Sequence, residues 1–254
     1  MQISSFLRGY KARNLCFPSH SRGRALPTDL KKLLQRRPGI WDLPELPAFG
    51  GPLISDGAVA DSQRFSARSF DVDHCWYGVN GATGLLQSAI LSVAKPGSAV
   101  LAPRNVHRSV IQACALGDIT PVLFDLPFNS DTGHFQPPNV SWMKKVLDQL
   151  EIDEFEIEAA ILVNPFYQGY SVDLTPLVEL LHSKNWPVII DESHGSHFVL
   201  GLDELPKSGL KVKADLVVHS LHKSSTGLSQ TAVLWLQGNR VDPMTVERSI
   251  GLFQ

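Results

Sequence analysis

From residue 76 onward the chain alternates short, wholly apolar runs with longer segments whose apolar residues recur at helical spacing. "GSAVLAP" and "ITPVLFDL" read as strands, and "NVHRSVIQACALG" between them as a helix stopped by Gly117. The alternation continues with "VSWMKKVLDQL" as a helix, "EAAILVNP" as a strand, "DLTPLVELLHSKN" as a helix capped by its aspartate, and "WPVIIDE" as a strand. "ADLVVHS" and "TAVLWLQ" supply two more strands, and "NGATGLLQSAILSVAKPG" an apolar helix opened by small residues. Strands that are apolar throughout need cover on both faces, so the pattern predicts an α/β fold with a largely parallel sheet between helices. Residues 1–75, rich in Pro and Gly as in "RRPGIWDLPELPAFGGPLISDG", read as an irregular arm. The expected division is therefore an arm over 1–75 and a large domain over 76–254.

Composition adds mostly exclusions. At 254 residues and 43% apolar content the chain can bury a sizeable core, as one domain or one and a part. A net charge of −2 leaves no overall electrostatic case for nucleic acid. No apolar run approaches the roughly 18 residues that a membrane span requires. Cys16, Cys75 and Cys114 are widely spaced and read as reduced thiols in a cytoplasmic protein. Residues 1–28 carry Arg8, Lys11, Arg13, Arg22 and Arg24 and no acid, which imitates an organelle transit peptide. The punctuation in "FPSHSRGRALP" favours a basic arm of the mature protein instead.

In open α/β sheets, sites form where strand C-termini run into the following loops. Five such places carry polar chemistry: "NGATG", "PRNVH", "VNPFYQG", "IIDESHGSH" and "VVHSLHK". The first presents unobstructed backbone N–H groups with the Thr83 hydroxyl, an anion cup at a positive helix end, or else a helix cap of Gly81, Thr83 and Gly84. His107 begins a helix, where its imidazole could stack on a flat heteroaromatic ring or cap the sheet edge. Asp191, Glu192, His194 and His197 allow a metal site, with His219 and His222 repeating the H-x-x-H spacing, or an aspartate paired with a cationic ring nitrogen. As a third option, a solvated capping loop suits Glu192 better than Asp191.

Lys223 lies among Ser220, His222, Ser224, Ser225 and Thr226, just before an apolar strand. An amine becomes a nucleophile toward carbonyls when burial or nearby charge lowers its pKa. A lysine for an aldehyde, an acid for a pyridinium nitrogen, a stacking imidazole and a phosphate cup are what pyridoxal 5'-phosphate requires. All four occur here at strand ends.

The segments "FPSHSRGRA", "VNGATGLLQSAILSVAKPGSAVLAPRNVHRSVI", "ILVNPFYQGYSVDLTPLVELLHSKNWPVIIDESHGSHF" and "ADLVVHSLHKSSTGLSQTAVLWLQGNRVD" resemble the Orn/Lys/Arg decarboxylases from about Phe17 to the last residue. The resemblance implies the aspartate-aminotransferase-like large domain of fold-type-I pyridoxal-phosphate enzymes, and homodimers or higher oligomers with active sites at subunit interfaces. It makes Lys223 the lysine that condenses with the cofactor aldehyde, and His107 and Asp191 the partners of the ring face and ring nitrogen. Ala82, Thr83, Ser220 and His222 would contact the phosphate region, and His194 would lie near the ring or substrate. Ser193 stands where many relatives have alanine. The activity implied is decarboxylation of lysine, arginine or ornithine in polyamine biosynthesis, without metal, nucleic acid or membrane. In relatives the segment like "VERSIGLFQ" runs on into a hydroxyl-rich loop and a C-terminal domain. The chain is thus expected to be truncated, and inactive or nearly so alone. The alternatives are an aminotransferase or aldolase, for which Arg240 and Arg248 are the only arginines beyond the lysine, and a non-catalytic homologue acting by association.

Overall fold

A computed structural model describes residues 17–40, 42–44, 46–153 and 155–254; Arg8, Lys11, Arg13 and Cys16 lie outside them. In chain order the helices are α1 (Thr28–Leu34), α2 (Ala58–Ser69), α3 (Gly81–Val93), α4 (Arg108–Gly117), α5 (Val140–Ile152), α6 (Thr175–His182), α7 (Leu221–Ser224) and α8 (Pro243–Ile250). The strands are β1 (His74–Gly78), β2 (Ala99–Pro103), β3 (Thr120–Phe124), β4 (Phe128–Asn129), β5 (His134–Phe135), β6 (Ile157–Val163), β7 (Val188–Asp191), β8 (Leu216–Ser220) and β9 (Ala232–Leu236).

Seven strands form one sheet in the order β1-β9-β8-β7-β6-β2-β3, while β4 and β5 make a separate hairpin. Every neighbouring pair in the large sheet is parallel except those of β9, which runs antiparallel to both β8 and β1. Strands β2, β7, β8 and β9 are buried at every position, because helices cover both faces. One core joins the sheet to α3, α4 and α8 through Leu85, Ile90, Val110, Ala113, Val246 and Ile250. The other joins it to α2, α5 and α6 through Ala67, Met143, Leu147, Leu177 and Leu181. This is the expected α/β architecture.

Details differ from the sequence reading. The stretch read as an irregular arm contains α1, α2 and the start of β1. Helix α4 does end at Gly117, but the left-handed residue that terminates it is Asp118, at φ 53°. Gly117 serves close packing, since a Cβ there would stand 2.4 Å from Leu91 on α3. Asp173 does close the start of α6, accepting from the Thr175 N–H at 2.9 Å.

Candidate active site

The strands β2, β6, β7 and β8 end on one edge of the sheet, where a cavity of about 570 Å³ opens. Ala82, Thr83, His107, Asp191, His194, Ser220, His222 and Lys223, all named from the sequence, line it together. Residues separated by up to 141 positions are thus brought to one place by the parallel strand order (Ala82 to Lys223).

Asp191 is the last residue of β7 and only 5% exposed; one carboxylate oxygen accepts from the Ser193 N–H at 3.1 Å. Lys223 sits on the single turn α7 that links β8 to β9, and its Nζ is 3.2 Å from His194 Nε2. Burial lowers the Lys223 pKa below the ordinary lysine value, and the Asp191 carboxylate opposes that shift. Burial also lowers the His194 pKa, assisted by the positive charge of Lys223. Both nitrogens of this close pair are therefore pushed toward their neutral forms.

His107 is the N-cap of α4. Its Nδ1 accepts from the Ser109 N–H at 3.3 Å and lies 2.8 Å from the Ser109 hydroxyl. The capping role suggested by the sequence thus coexists with a place on the cavity wall, and burial lowers the pKa of this ring too. Ser220 Oγ is 3.2 Å from His222 Nδ1, whose pKa burial lowers as well. At the opposite wall, Gly81 opens α3 at φ 72°, a conformation open to glycine, and its N–H donates to the Gln230 carbonyl at 2.8 Å. Asn80 gives α3 no side-chain cap.

Three neighbours of this centre were not singled out from the sequence. Phe17 packs its ring 6.0 Å from His194 and 6.4 Å from His222, and Tyr167 meets His194 edge-on at 5.5 Å. Ser19 donates its N–H to the His222 carbonyl at 2.8 Å and its hydroxyl to the Ser225 carbonyl. Phe17 and Ser19 fall in "FPSHSRGRA", one of the resembling segments, and Tyr167 in the strand-end stretch "VNPFYQG", which was noted without naming the tyrosine.

Glu192 and His219, two of the residues offered for a metal site, are committed to other partners. Glu192 is wholly buried, not solvated: it accepts from Ser208 Oγ at 2.6 Å, the Gly209 N–H at 2.8 Å and His219 Nε2 at 2.6 Å. The other nitrogen of His219 accepts from Trp235 Nε1 at 2.9 Å, so both ring nitrogens are committed. Among the described residues no three His, Cys, Asp or Glu side chains gather to hold a metal ion. The cysteines Cys75 and Cys114 are free and buried, with thiols pushed up to about 12 and about 11. Among the described residues no helix is long and apolar enough to cross a membrane.

A mostly parallel sheet between helix layers, with a buried acid and a lysine turn at its strand ends, is the aspartate-aminotransferase-like fold of type-I pyridoxal-phosphate enzymes. The solved lysine decarboxylase A of Pseudomonas aeruginosa superposes with a TM-score of 0.75 at 18% identity, over 99% of this chain and 36% of its own. The pyridoxal-5'-phosphate-dependent protein YhfS of Escherichia coli gives 0.58 at 16% identity, over 88% of this chain and 55% of its own. The particular family follows from sequence: residues 14–253 match the model of the "Orn/Lys/Arg decarboxylase, major domain", and the chain belongs to that family. An arginine decarboxylase of Bacillus anthracis is 27% identical over 235 residues, 92% of this chain and 47% of the relative. The chain spans about half the length of the curated relatives it matches.

Proposed function

We propose that this chain binds pyridoxal 5'-phosphate and forms the cofactor-binding part of a decarboxylase that converts lysine, arginine or ornithine to cadaverine, agmatine or putrescine. The observation that carries the reading is the half-buried Lys223 amine, held 3.2 Å from His194 in a cavity that also receives the buried Asp191. The donor set fits this cofactor: a nucleophilic amine, an acid, an imidazole ring and hydroxyls beside a helix N-terminus.

Each residue has a distinct task. Lys223, whose pKa burial lowers from the ordinary lysine value, would be the residue that holds the cofactor aldehyde. His194 would exchange a proton with Lys223 Nζ across their 3.2 Å contact. Asp191 would hold a proton on the ring nitrogen, and His107 would lie on the ring face. Ala82, Thr83, Ser220 and His222 would hold the phosphate, drawing on the positive end of α3. When bound, the cofactor supplies an electron sink for the bond that releases carbon dioxide.

On this reading residues 76–254 form the large domain with 1–75 as its arm, in a cytoplasmic homodimer or larger homo-oligomer. A neighbouring subunit would complete closure over substrate, since water exclusion and positioning contribute on the order of several kcal/mol. The aminotransferase alternative finds less support, because Arg240 pairs with the buried Asp215 at the far end of β8, Arg248 is exposed on α8, and neither lines the cavity.

The test is direct. Protein mixed with pyridoxal phosphate should develop a visible absorption band that Lys223→Ala removes; a band that survives the substitution refutes the assignment. With the C-terminal half of a full-length relative supplied in trans, carbon dioxide should be released from basic amino acids, and formation of a keto acid instead would favour the aminotransferase. Asp191→Asn should retain some cofactor yet lower turnover by orders of magnitude.

A further inference from the structure

The loop that enters α3 is held from a distance. Gln254 Oε1 accepts two adjacent backbone N–H groups, from Val79 and Asn80, each at 2.9 Å. Asn80 returns the tie, its Nδ2 donating to the Phe253 carbonyl at 2.9 Å. Gly81 follows at φ 72° with its N–H on the Gln230 carbonyl, and Ala82 and Thr83 then face the cavity. Because Asn80 gives the helix no side-chain cap, these contacts do the work of fixing its entry.

Two further facts show that the amide occupies a prepared place. A Cβ on Gly84 would stand 2.4 Å from Gln254 Nε2, and one on Gly78 would stand 3.0 Å from its Oε1. Glycine at both positions leaves the slot that the side chain fills. Gln254 Nε2 is buried without a hydrogen-bond partner. A flip of the amide would not relieve it, since the nitrogen would then face two N–H donors. The fold carries that unpaired donor in order to place an oxygen against Val79 and Asn80.

We infer that Gln254 is a positioning residue for the phosphate of the cofactor. This rests on the proposed binding of pyridoxal phosphate in the cavity. Gln254 does not line the cavity itself; it holds the backbone of Val79 and Asn80, and through it sets the direction of the first-turn N–H groups and of Thr83. The consequence is selective. Ligand that carries a phosphate should feel the loss of Gln254, while the same ring without a phosphate should not.

The experiment compares dissociation constants of pyridoxal phosphate and of pyridoxal, read from the Lys223-dependent absorption band. Gln254→Met keeps the shape of the side chain but cannot accept the two hydrogen bonds. Gly84→Ala introduces a methyl group 2.4 Å from the Gln254 amide nitrogen and 3.3 Å from Phe253 Cβ, and its thermal melt, beside that of Gln254→Met, checks that it folds. Both variants should bind pyridoxal phosphate about tenfold more weakly and pyridoxal as wild type does. Unchanged affinity for both ligands, or an equal loss for both, would overturn the inference; the second outcome would make Gln254 a general packing residue. Wild-type protein without Lys223-dependent binding of either ligand would refute the cofactor reading itself and this inference with it.

Discussion

Replacing Glu192 by glutamine should reveal which nitrogen of His219 carries the proton. Trp235 Nε1 can only donate, so the His219 Nδ1 that it meets at 2.9 Å must accept. The ring proton is then on Nε2, donated to Glu192 at 2.6 Å. Ser208 and His219 meet one carboxylate oxygen, Oε2, and the Gly209 N–H meets the other, Oε1. The amide of Glu192→Gln can therefore satisfy only one side: with its NH₂ toward His219 it faces a nitrogen that already bears hydrogen, and turned over it faces the Gly209 N–H. Moving the ring proton to Nδ1 only transfers the conflict to Trp235. One buried donor is left unpaired either way, and His219 is 1% exposed, so the substitution should cost about 1–3 kcal/mol. Glu192→Ala strands three donors and should cost about 3–5 kcal/mol. The proton argument itself is tested by adding Trp235→Phe, which removes the second conflict and lets the imidazole switch tautomer. Urea unfolding followed by far-ultraviolet circular dichroism, over all four corners of the cycle, should give a double variant less destabilised than the sum of the singles by about 1 kcal/mol. Additivity within about 0.3–0.5 kcal/mol would refute the reasoning.

His107, His194 and His222 all titrate below the ordinary 6.5 when folded, so the unfolded chain takes up their protons first as the pH falls. The stability they leave intact above the unfolded value is lost below it, and changing all three to glutamine should flatten the decline between about pH 7 and about pH 5. Lys223 has the same sign: its buried amine is protonated less readily in the folded protein, so cofactor-free Lys223→Met should melt at a higher temperature than wild type while losing the absorption band. Arg240→Met should lower stability by about 1 kcal/mol, because Asp215 keeps His182 at 2.7 Å and the Val188 N–H at 2.8 Å. Cofactor affinity should not change; a large loss there would revive a role for Arg240 at the site.

Much of this was visible in the sequence for a physical reason. Strands β2, β7, β8 and β9 are buried at every position, so each appears as an uninterrupted apolar run, and the residues at their ends stand out by contrast. Strand β1 was missed because "HCWYG" lacks such a run and draws its pairing from β9, far along the chain. Glu192 and His219 have the spacing of potential ligands, and what separates them from Asp191 and His222 is that they bond to each other, Ser208, Gly209 and Trp235 and do not line the cavity. The contacts of Phe17, Ser19 and Gln254 join distant segments, and no local pattern announces them.

The antiparallel strand β9 imposes an order of assembly. His74 pairs with Leu236, and β1 reaches the sheet only through β9. A nascent chain can build β2, β3, β6, β7 and β8 as they leave the ribosome, since each of these lies beside another member of that set. Strand β1, made first, must wait until residues 232–236 emerge before it has an edge to join. The entrance to α3 follows β1, and Lys223 precedes β9, so the two walls of the cavity are locked together in that same late event. During synthesis, then, the cavity should take shape abruptly with β9, after a long interval in which α3 has no finished sheet beneath it.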